Sequence, residues 1–359
     1  MDDVTLIREF FDEPAAPSPA LLARARDRAL GSGQAGDRAF GRRAGTFRAR
    51  RRWTAGALGL SAVAAAVAVA LSGTPAPSSD RPGRATDLSA RGILLTAATS
   101  AAGRPVETGR YWHVSIRSRL YVSVGSGRGR YTVVSETRDE RWNPSARGVQ
   151  GVLISQPLGF RPAGPADAAA WRRAGSPQSV PIRNDRLSAK PGPAQVSSGE
   201  SMNPLGRTAT LRDVQALPTD PAKLKARLLQ AGTSVTSDDS EPVRVFIIAT
   251  ALLRYMPLTP AVRAATFRVL ADLPGITKVG KLKDGEGRVG TAVAMVGHKN
   301  GGTYQERLIL DLSTGRVLGD SVVVVTPAPS STALPAGALS GSNTVIAQNW
   351  TDTAPRPGN

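Results

Sequence analysis

The sequence predicts an α+β fold in which one N-terminal transmembrane helix precedes an antiparallel, half-barrel-like sheet with packed helices. Three patterns support this prediction. Residues 53–71 are apolar and uncharged, residues 111–124 alternate apolar and polar side chains, and residues 276–325 form short strands separated by turns. Alternation with a period of two is typical of strands, and an apolar run of that length fits a bilayer.

The apolar segment reads WTAGALGLSAVAAAVAVAL and is about 19 residues long. At about 1.5 Å per residue, this length is close to the hydrocarbon thickness of a bilayer. The sequence RARRR (Arg48–Arg52) precedes it, and a linker rich in Thr, Pro and Ser follows. Because basic residues are retained in the cytoplasm, we expect the N-terminus inside the cell membrane and the C-terminal domain outside it.

Two other interpretations of this segment remain open. A buried alanine-rich helix would have amphipathic neighbours, whereas here the neighbours are a basic run and a Pro/Ser/Gly stretch. A cleaved signal peptide would carry a much shorter charged region than the roughly 50 residues found here. We therefore favour an uncleaved signal anchor.

The expected organisation has five parts. They are a mostly disordered or partly helical basic cytoplasmic tail at 1–52, the transmembrane helix at 53–71, a linker at 72–86, an extracytoplasmic α+β domain at 87–326, and a Pro/Ser/Ala-rich tail at 327–359 with a candidate last strand at 344–350.

Within the outer domain, Asp87 is a candidate N-cap for a helix that continues to Ala101. The strand at 111–124 and the following Gly-rich connection predict a hairpin with residues 131–142. A further short strand is expected at 152–154, and a short helix at 167–175. Three more helices are expected where proline occupies the first turn, at Pro221, Pro242 and Pro260. Asp-Gly, Asn-Gly and Thr-Gly turns then predict an antiparallel meander at 276–325.

The charge and the cysteine count exclude several classes of protein. The formal net charge is +18, but the basic residues are spread along the chain and form no aromatic-flanked run, which disfavours a nucleic-acid partner. An anionic membrane surface or wall polymer remains a candidate partner. The absence of cysteine excludes disulfides, thiolate metal sites and a lipid-modified cysteine.

No motif predicts catalysis, a cofactor or a metal site. The chain has two histidines, without a partner at metal-ligand spacing, and it lacks G-x-S-x-G, S-x-x-K and phosphate-loop motifs. Asp284 and Glu286 lie in a loop too short for a calcium motif, so a hairpin turn is favoured. We expect a protein that is not an enzyme.

Two groups of side chains are candidates for binding. Three tryptophans in or beside the sheet could line an apolar cavity, although tryptophans at such positions are often core residues: Trp112, Trp142 and Trp171. Four arginines around the first hairpin could contact an anionic surface, although a solvated strand face explains them equally well: Arg117, Arg119, Arg128 and Arg130.

Several segments together resemble a family of uncharacterised actinobacterial single-pass membrane proteins. They are, in order, LIREF, YWHV, DAAAWRRAGSP, LPTDPAKL, LPGITKVG, DGEGRVGTAV and LILDLSTGRVLG. More distantly, the order of elements is similar to the half-barrels of lipoprotein carriers and sigma-factor regulatory sensors. These resemblances imply an architecture and a location, and they assign no chemistry.

Two functions are consistent with the sequence. The first is a membrane-anchored, non-enzymatic envelope protein whose outer domain binds an apolar or anionic envelope ligand, such as a lipid, or a protein partner. The alternative is a transmembrane signalling regulator, similar to an anti-sigma factor without zinc, whose cytoplasmic tail binds a cytoplasmic protein.

Overall fold

The computed structural model describes residues 88–146, 148–182, 185–199, 205, 210–231, 239–330 and 333–355. These residues form an α+β fold with a large antiparallel sheet and several helices, which confirms that part of the predicted fold class. None of the helices described is both long and apolar enough to cross a membrane. The predicted tail, transmembrane helix and linker (1–52, 53–71 and 72–86) lie outside the described residues.

The described helices are α1 Ala90–Ala102, α2 Pro165–Arg173, α3 Leu211–Gln215, α4 Pro221–Ala231, α5 Glu241–Tyr255 and α6 Pro260–Ala271, with a 3₁₀ turn at Gly127–Gly129. The described strands are β1 Tyr111–Val124, β2 Tyr131–Pro144, β3 Gly151–Pro162, β4 Ser179–Ile182, β5 Asp185–Ser188, β6 Gln195–Gly199, β7 Thr277–Lys283, β8 Val289–Lys299, β9 Gly302–Asp311, β10 Arg316–Thr326 and β11 Leu339–Thr351.

The large sheet has the strand order β6-β3-β2-β1-β11-β10-β9-β8-β7, and its neighbouring strands are antiparallel. Strands β4 and β5 form a separate two-stranded sheet. The first strand of the domain thus pairs with β2 on one side and with the last strand, β11, on the other. Two hairpin-rich halves of the chain meet at the β1–β11 ladder.

The last strand differs from the sequence expectation. A candidate strand at 344–350 was placed in a tail that follows the domain, whereas β11 spans Leu339–Thr351 and occupies the middle of the sheet. It pairs with the preceding strand β10 but also with β1, which lies far away in sequence, so no local pattern around residue 344 reveals that it is central. The Pro/Ser/Ala-rich stretch lies between β10 and its antiparallel neighbour β11 in the sequence.

Local capping determines where the helices begin. The first helix starts at Ala90 and not at the expected position after Asp87, because the side chain of Ser89 accepts a hydrogen bond from the backbone N–H of Gly92 at 3.1 Å. Thr259 caps α6 in the same way through the N–H of Val262. The helices that start at the predicted prolines are present as α4, α5 and α6.

The main core lies between helices α1, α5 and α6 and one face of the sheet. Phe246 of α5 and Phe267 of α6 are almost fully buried there, next to sheet residues such as Val114 and Leu308. Burying each such side chain stabilises the fold by about 1.5–3 kcal/mol. A second, smaller core forms where α2 and β4–β5 cover the far ends of β1, β2 and β3.

The turn between β9 and β10 packs directly against α1. Gly315 in this turn has a positive φ of 63°, and a Cβ atom at that position would lie 2.7 Å from the carbonyl oxygen of Ala97. Only glycine combines that backbone conformation with so close an approach. The contact places the start of β10, and therefore Arg316, beside the C-terminal end of α1.

Candidate ligand-binding site

A cavity of about 210 Å³ lies where the end of α1, the α5–α6 turn, and strands β1, β10 and β11 meet. We call it the arginine pocket and define it by five side chains, Arg104, Arg263, Arg316, Trp112 and Trp350, which line it together with Val106, Glu107 and the residues around Pro257. Its volume corresponds to roughly seven water molecules at about 30 Å³ each. A small anion with a few attached carbon atoms fits this space.

Two tryptophans supply an apolar wall of the pocket. Trp112 on β1 and Trp350 on β11 are cross-strand partners, and their ring centroids lie 5.5 Å apart in an edge-to-face arrangement. The indole N–H of Trp112 donates to the carbonyl oxygen of Tyr255 at 2.9 Å, which fixes the ring against the end of α5. Val106, which is 71% exposed, adds a further apolar side chain at the edge of the pocket.

Arg263 is the most unusual residue of the pocket. It lies on α6 and is only 9% exposed, and its Nη1 donates one long hydrogen bond of 3.5 Å to the carbonyl oxygen of Leu253. No carboxylate among the described residues forms a salt bridge with it. Burial, together with the nearby Arg316 and Arg104, lowers the pKa of Arg263 to about 10, and Glu107 acts in the opposite direction. The guanidinium is still charged at neutral pH, so it is a buried positive charge that no salt bridge within the described residues compensates.

The rest of the pocket adds positive charge. Arg104 lies 3.6 Å from Glu107, and both side chains are partly exposed. Arg316 is half-buried at the start of β10, and no salt bridge to it is found within the described part of the chain. Three guanidinium groups therefore face one carboxylate. An anion in the pocket would relieve the repulsion between the arginines and accept charge-assisted hydrogen bonds from them.

These arginines were not among the candidate binding residues, although the helical pattern around Arg263 contains a signal for that one. On a helix, residues four and seven positions apart share a face, and Phe267 and Leu270 therefore lie on the same face as Arg263. An arginine in the middle of a buried helical face is rare unless it has a partner. Arg104 and Arg316 have no comparable signal, because only the three-dimensional fold brings them to α6.

A second group of charges lies under α5 on the inner, helix-covered face of the sheet. Arg254 forms a salt bridge with Asp320 of β10, and Asn343 donates to the other carboxylate oxygen of Asp320 at 2.9 Å. Ser118 of β1 in turn donates to the amide oxygen of Asn343 at 2.8 Å. Burial alone would lower the pKa of Arg254, but Asp320 raises it. These side chains bond one another, although the buried Nε of Arg254 has no hydrogen-bond partner among the described atoms, and we interpret this cluster as structural.

Glu306 of β9 lies close to the same cluster. Burial, together with the charges of Asp320 and Asp239, raises the pKa of this carboxyl group from its ordinary value of 4.5 to about 7. Lys299 and Arg254 act in the opposite direction. Glu306 therefore binds a proton in the folded protein at a pH where the unfolded chain has lost it.

The structure does not bring the three predicted tryptophans together. Trp112 lines the arginine pocket. Trp142 lies on the opposite face of the sheet, where its ring stacks on His113 with centroids 4.5 Å apart. Trp171 belongs to α2 and packs against the smaller core, and its indole N–H donates to the carbonyl oxygen of Pro177.

The four predicted arginines also separate into two pairs. Arg117 contacts Glu286 of the β7–β8 turn at 2.7 Å, and Arg119 contacts Glu136 at 3.2 Å. Arg128 and Arg130 are exposed in and beside the 3₁₀ turn. Their role at an anionic surface stays a prediction.

The β7–β8 loop has the geometry of a hairpin turn. The carboxylate of Asp284 accepts hydrogen bonds from the backbone N–H groups of Glu286 and Arg288 and from the guanidinium of Arg288. Within the described residues, no three His, Asp or Glu side chains are grouped as metal ligands would be.

No protein-family model matches the chain, and no curated protein matches it. Among solved structures, the chain is similar to one from a complex of MucA and MucB of Pseudomonas aeruginosa, with 12% sequence identity and a TM-score of 0.21. The similarity covers 74% of this chain and 58% of that one, so the chain spans less than two thirds of that neighbour. A similarity of this size carries no conclusion about function.

The raised pKa of Glu306 predicts a pH-dependent stability. The folded state binds an extra proton between about pH 4.5 and pH 7, so the free energy of unfolding should fall by about 2 kcal/mol as the pH rises through this range. Glu306→Gln should remove most of this fall and be more stable than the wild type at pH 8. Pulse proteolysis in urea at pH 5 and pH 8 measures both values.

The matched control is Asp272→Asn, which changes an exposed carboxylate at the end of α6. It should leave the pH dependence intact. A Glu306→Gln variant with the same pH dependence as the wild type would contradict the assignment.

Proposed function

We propose that the chain is a membrane-anchored, non-enzymatic envelope protein whose outer domain binds an anionic ligand in the arginine pocket. The observation that carries this proposal is the buried Arg263, which faces Arg104 and Arg316 and forms no salt bridge with a carboxylate in the part of the chain that the structure describes. Leaving a buried charge uncompensated costs several kcal/mol, and an external anion offsets that cost.

The lining of the pocket favours binding over chemistry. A guanidinium group is a hydrogen-bond donor that suits anion recognition and is a poor general acid or base. Among the described residues that line the pocket, Glu107 carries the carboxylate, and this carboxylate lies 3.6 Å from the guanidinium of Arg104. The two tryptophans favour a ligand with an apolar part next to its anionic group. A lipid headgroup, a wall polymer or a chain terminus carries such a group.

The membrane anchor is proposed from the sequence of residues 53–71 and its arginine-rich N-terminal flank. The half-barrel shape and the extracytoplasmic location belong to the same proposal. The regulator alternative depends on the cytoplasmic tail, residues 1–52, and stays a prediction that a pull-down with the tail would test.

The anchor predicts the behaviour of the full chain in cells. The protein should stay in the membrane pellet after alkaline carbonate extraction, and protease added to spheroplasts should digest the C-terminal domain. A variant with Val63→Arg and Val67→Arg should leave the pellet, because two charges at the centre of an apolar helix each cost about 2.5–3.5 kcal/mol. Recovery of the intact wild type in the soluble cytosolic fraction would contradict the anchor.

The pocket predicts anion binding that tryptophan fluorescence can follow, since Trp112 and Trp350 line it. In the full chain in nanodiscs, acetate, butyrate and methyl phosphate should give saturable changes, and the chain-bearing butyrate should bind more tightly than acetate. Arg316→Ala should weaken binding about tenfold or more, because a hydrogen bond to a charged group contributes about 1.5–3 kcal/mol.

Arg268→Ala is the matched control, because Arg268 is an exposed arginine on the same helix as Arg263. It should bind these anions as the wild type does. Equal losses in Arg316→Ala and Arg268→Ala would indicate a nonspecific charge effect, and no response to any anion would refute the proposed site.

A further inference from the structure

We propose that the arginine pocket and the adjoining gap between β10 and β11 together bind the C-terminal end of an extended peptide. This inference rests on the proposed function, because it names the class of anionic ligand that the pocket takes. The two cavities are neighbours, since Arg316 lines both of them.

The gap exists because β10 and β11 are paired along only part of their length. Their ladder joins Gly319–Val323 of β10 to Leu339–Thr344 of β11. Before it, Arg316 and Val317 pair with β9, and after it, Val345–Thr351 lies beside β1. Among the described strands, each of these two segments therefore has one edge without a neighbour. We call the space between them the strand gap.

The strand gap is a cavity of about 340 Å³ lined by residues of both strands, including Leu318, Val345, Ile346 and Gln348. Its narrow end is closed by Arg288, whose Nη2 donates to the carbonyl oxygens of Leu318 at 3.2 Å and of Val345 at 2.6 Å. A side chain thus bridges the two strands at the point where they separate. Arg288 therefore satisfies both carbonyls at this end of the gap.

An extended peptide is the ligand class that matches these edges. Open strand edges present backbone N–H and C=O groups, and a further strand satisfies them by adding to the ladder. The β11 segment is already held extended by its pairing with β1, so little order must be created on binding. Ile346, which lines the gap and is 36% exposed, offers an apolar contact to a peptide side chain. A lipid tail would leave the backbone groups unpaired.

The charges define the direction of the peptide. The strand gap contains the carboxylate of Asp311; burial would raise its pKa, but hydrogen bonds from Ser313 and Thr314 lower it. The gap also contains Arg288, but that guanidinium is paired with Asp284, so the three arginines of the arginine pocket attract a terminal carboxylate more strongly. Along β10, Arg316 is at the pocket and Leu318 is at the closed end. A peptide with its C-terminus at the pocket runs antiparallel to β10.

The test uses the full chain in nanodiscs and two synthetic octapeptide libraries of identical composition, one with a free C-terminal carboxylate and one with a C-terminal amide. The immobilised protein should retain the acid library at least tenfold more than the amide library. Arg316→Ala should abolish this preference, and Arg268→Ala should keep it. Hydrogen exchange should slow within Val345–Thr351 when an enriched peptide is bound, and acetate should not slow it.

The possible results distinguish the proposed anion site from the proposed peptide site. A fluorescence response to acetate or butyrate with equal retention of both libraries would refute the peptide and leave the anion site intact. Enrichment of the acid library without slower exchange in Val345–Thr351 would refute pairing in the strand gap. No response to small anions and no retention of peptides would refute both the proposed function and this inference.

Discussion

The structure depends on the pairing of β1 with β11. These are the first and last strands along the chain, and they lie side by side in the interior of the large sheet. Without that ladder, the hairpins β1–β2–β3 and the meander β7–β10 would be separate sheets with open edges. The same ladder brings Trp112 next to Trp350 and lets Ser118 bond Asn343. Because β11 continues past the end of its pairing with β10, it also opens the strand gap. The joined sheet, the tryptophan wall of the arginine pocket and the strand gap therefore all depend on the β1–β11 ladder.

Two buried arginines near this ladder have opposite roles. Arg254 has a carboxylate partner in Asp320, which is itself bonded to Asn343, so the fold supplies its counter-ion. Among the described residues, Arg263 has no such partner, and it faces two further arginines. Both stand close to the end of α5, where Arg254 lies 4.6 Å from the ring of Tyr255 and Arg263 donates to Leu253. For this reason we propose that Arg263, and not Arg254, binds the ligand.

The sequence predicted the local elements well where capping and periodicity act over short distances. The prolines that begin α4, α5 and α6, the alternation in β1 and the turns of the meander are such cases. It did not predict that β11 is central, because strand order depends on contacts between residues over two hundred positions apart. For the same reason, Trp112 could be selected as a cavity candidate, but Arg104 and Arg316 could not be connected to it. Trp142 and Trp171 were selected by residue type, and residue type does not define the face of the sheet.

The central claim is that Arg263 holds an external anion. The most direct measurement is the response of its Nε–Hε NMR signal to acetate, in the full chain labelled with ¹⁵N-arginine and assigned with Arg263→Lys. We expect a saturable shift of the Arg263 signal, while the signal of Arg254, which is already paired with Asp320, stays in place. An Arg263 signal that does not move, or that moves only in parallel with the exposed Arg268, would refute anion binding at Arg263.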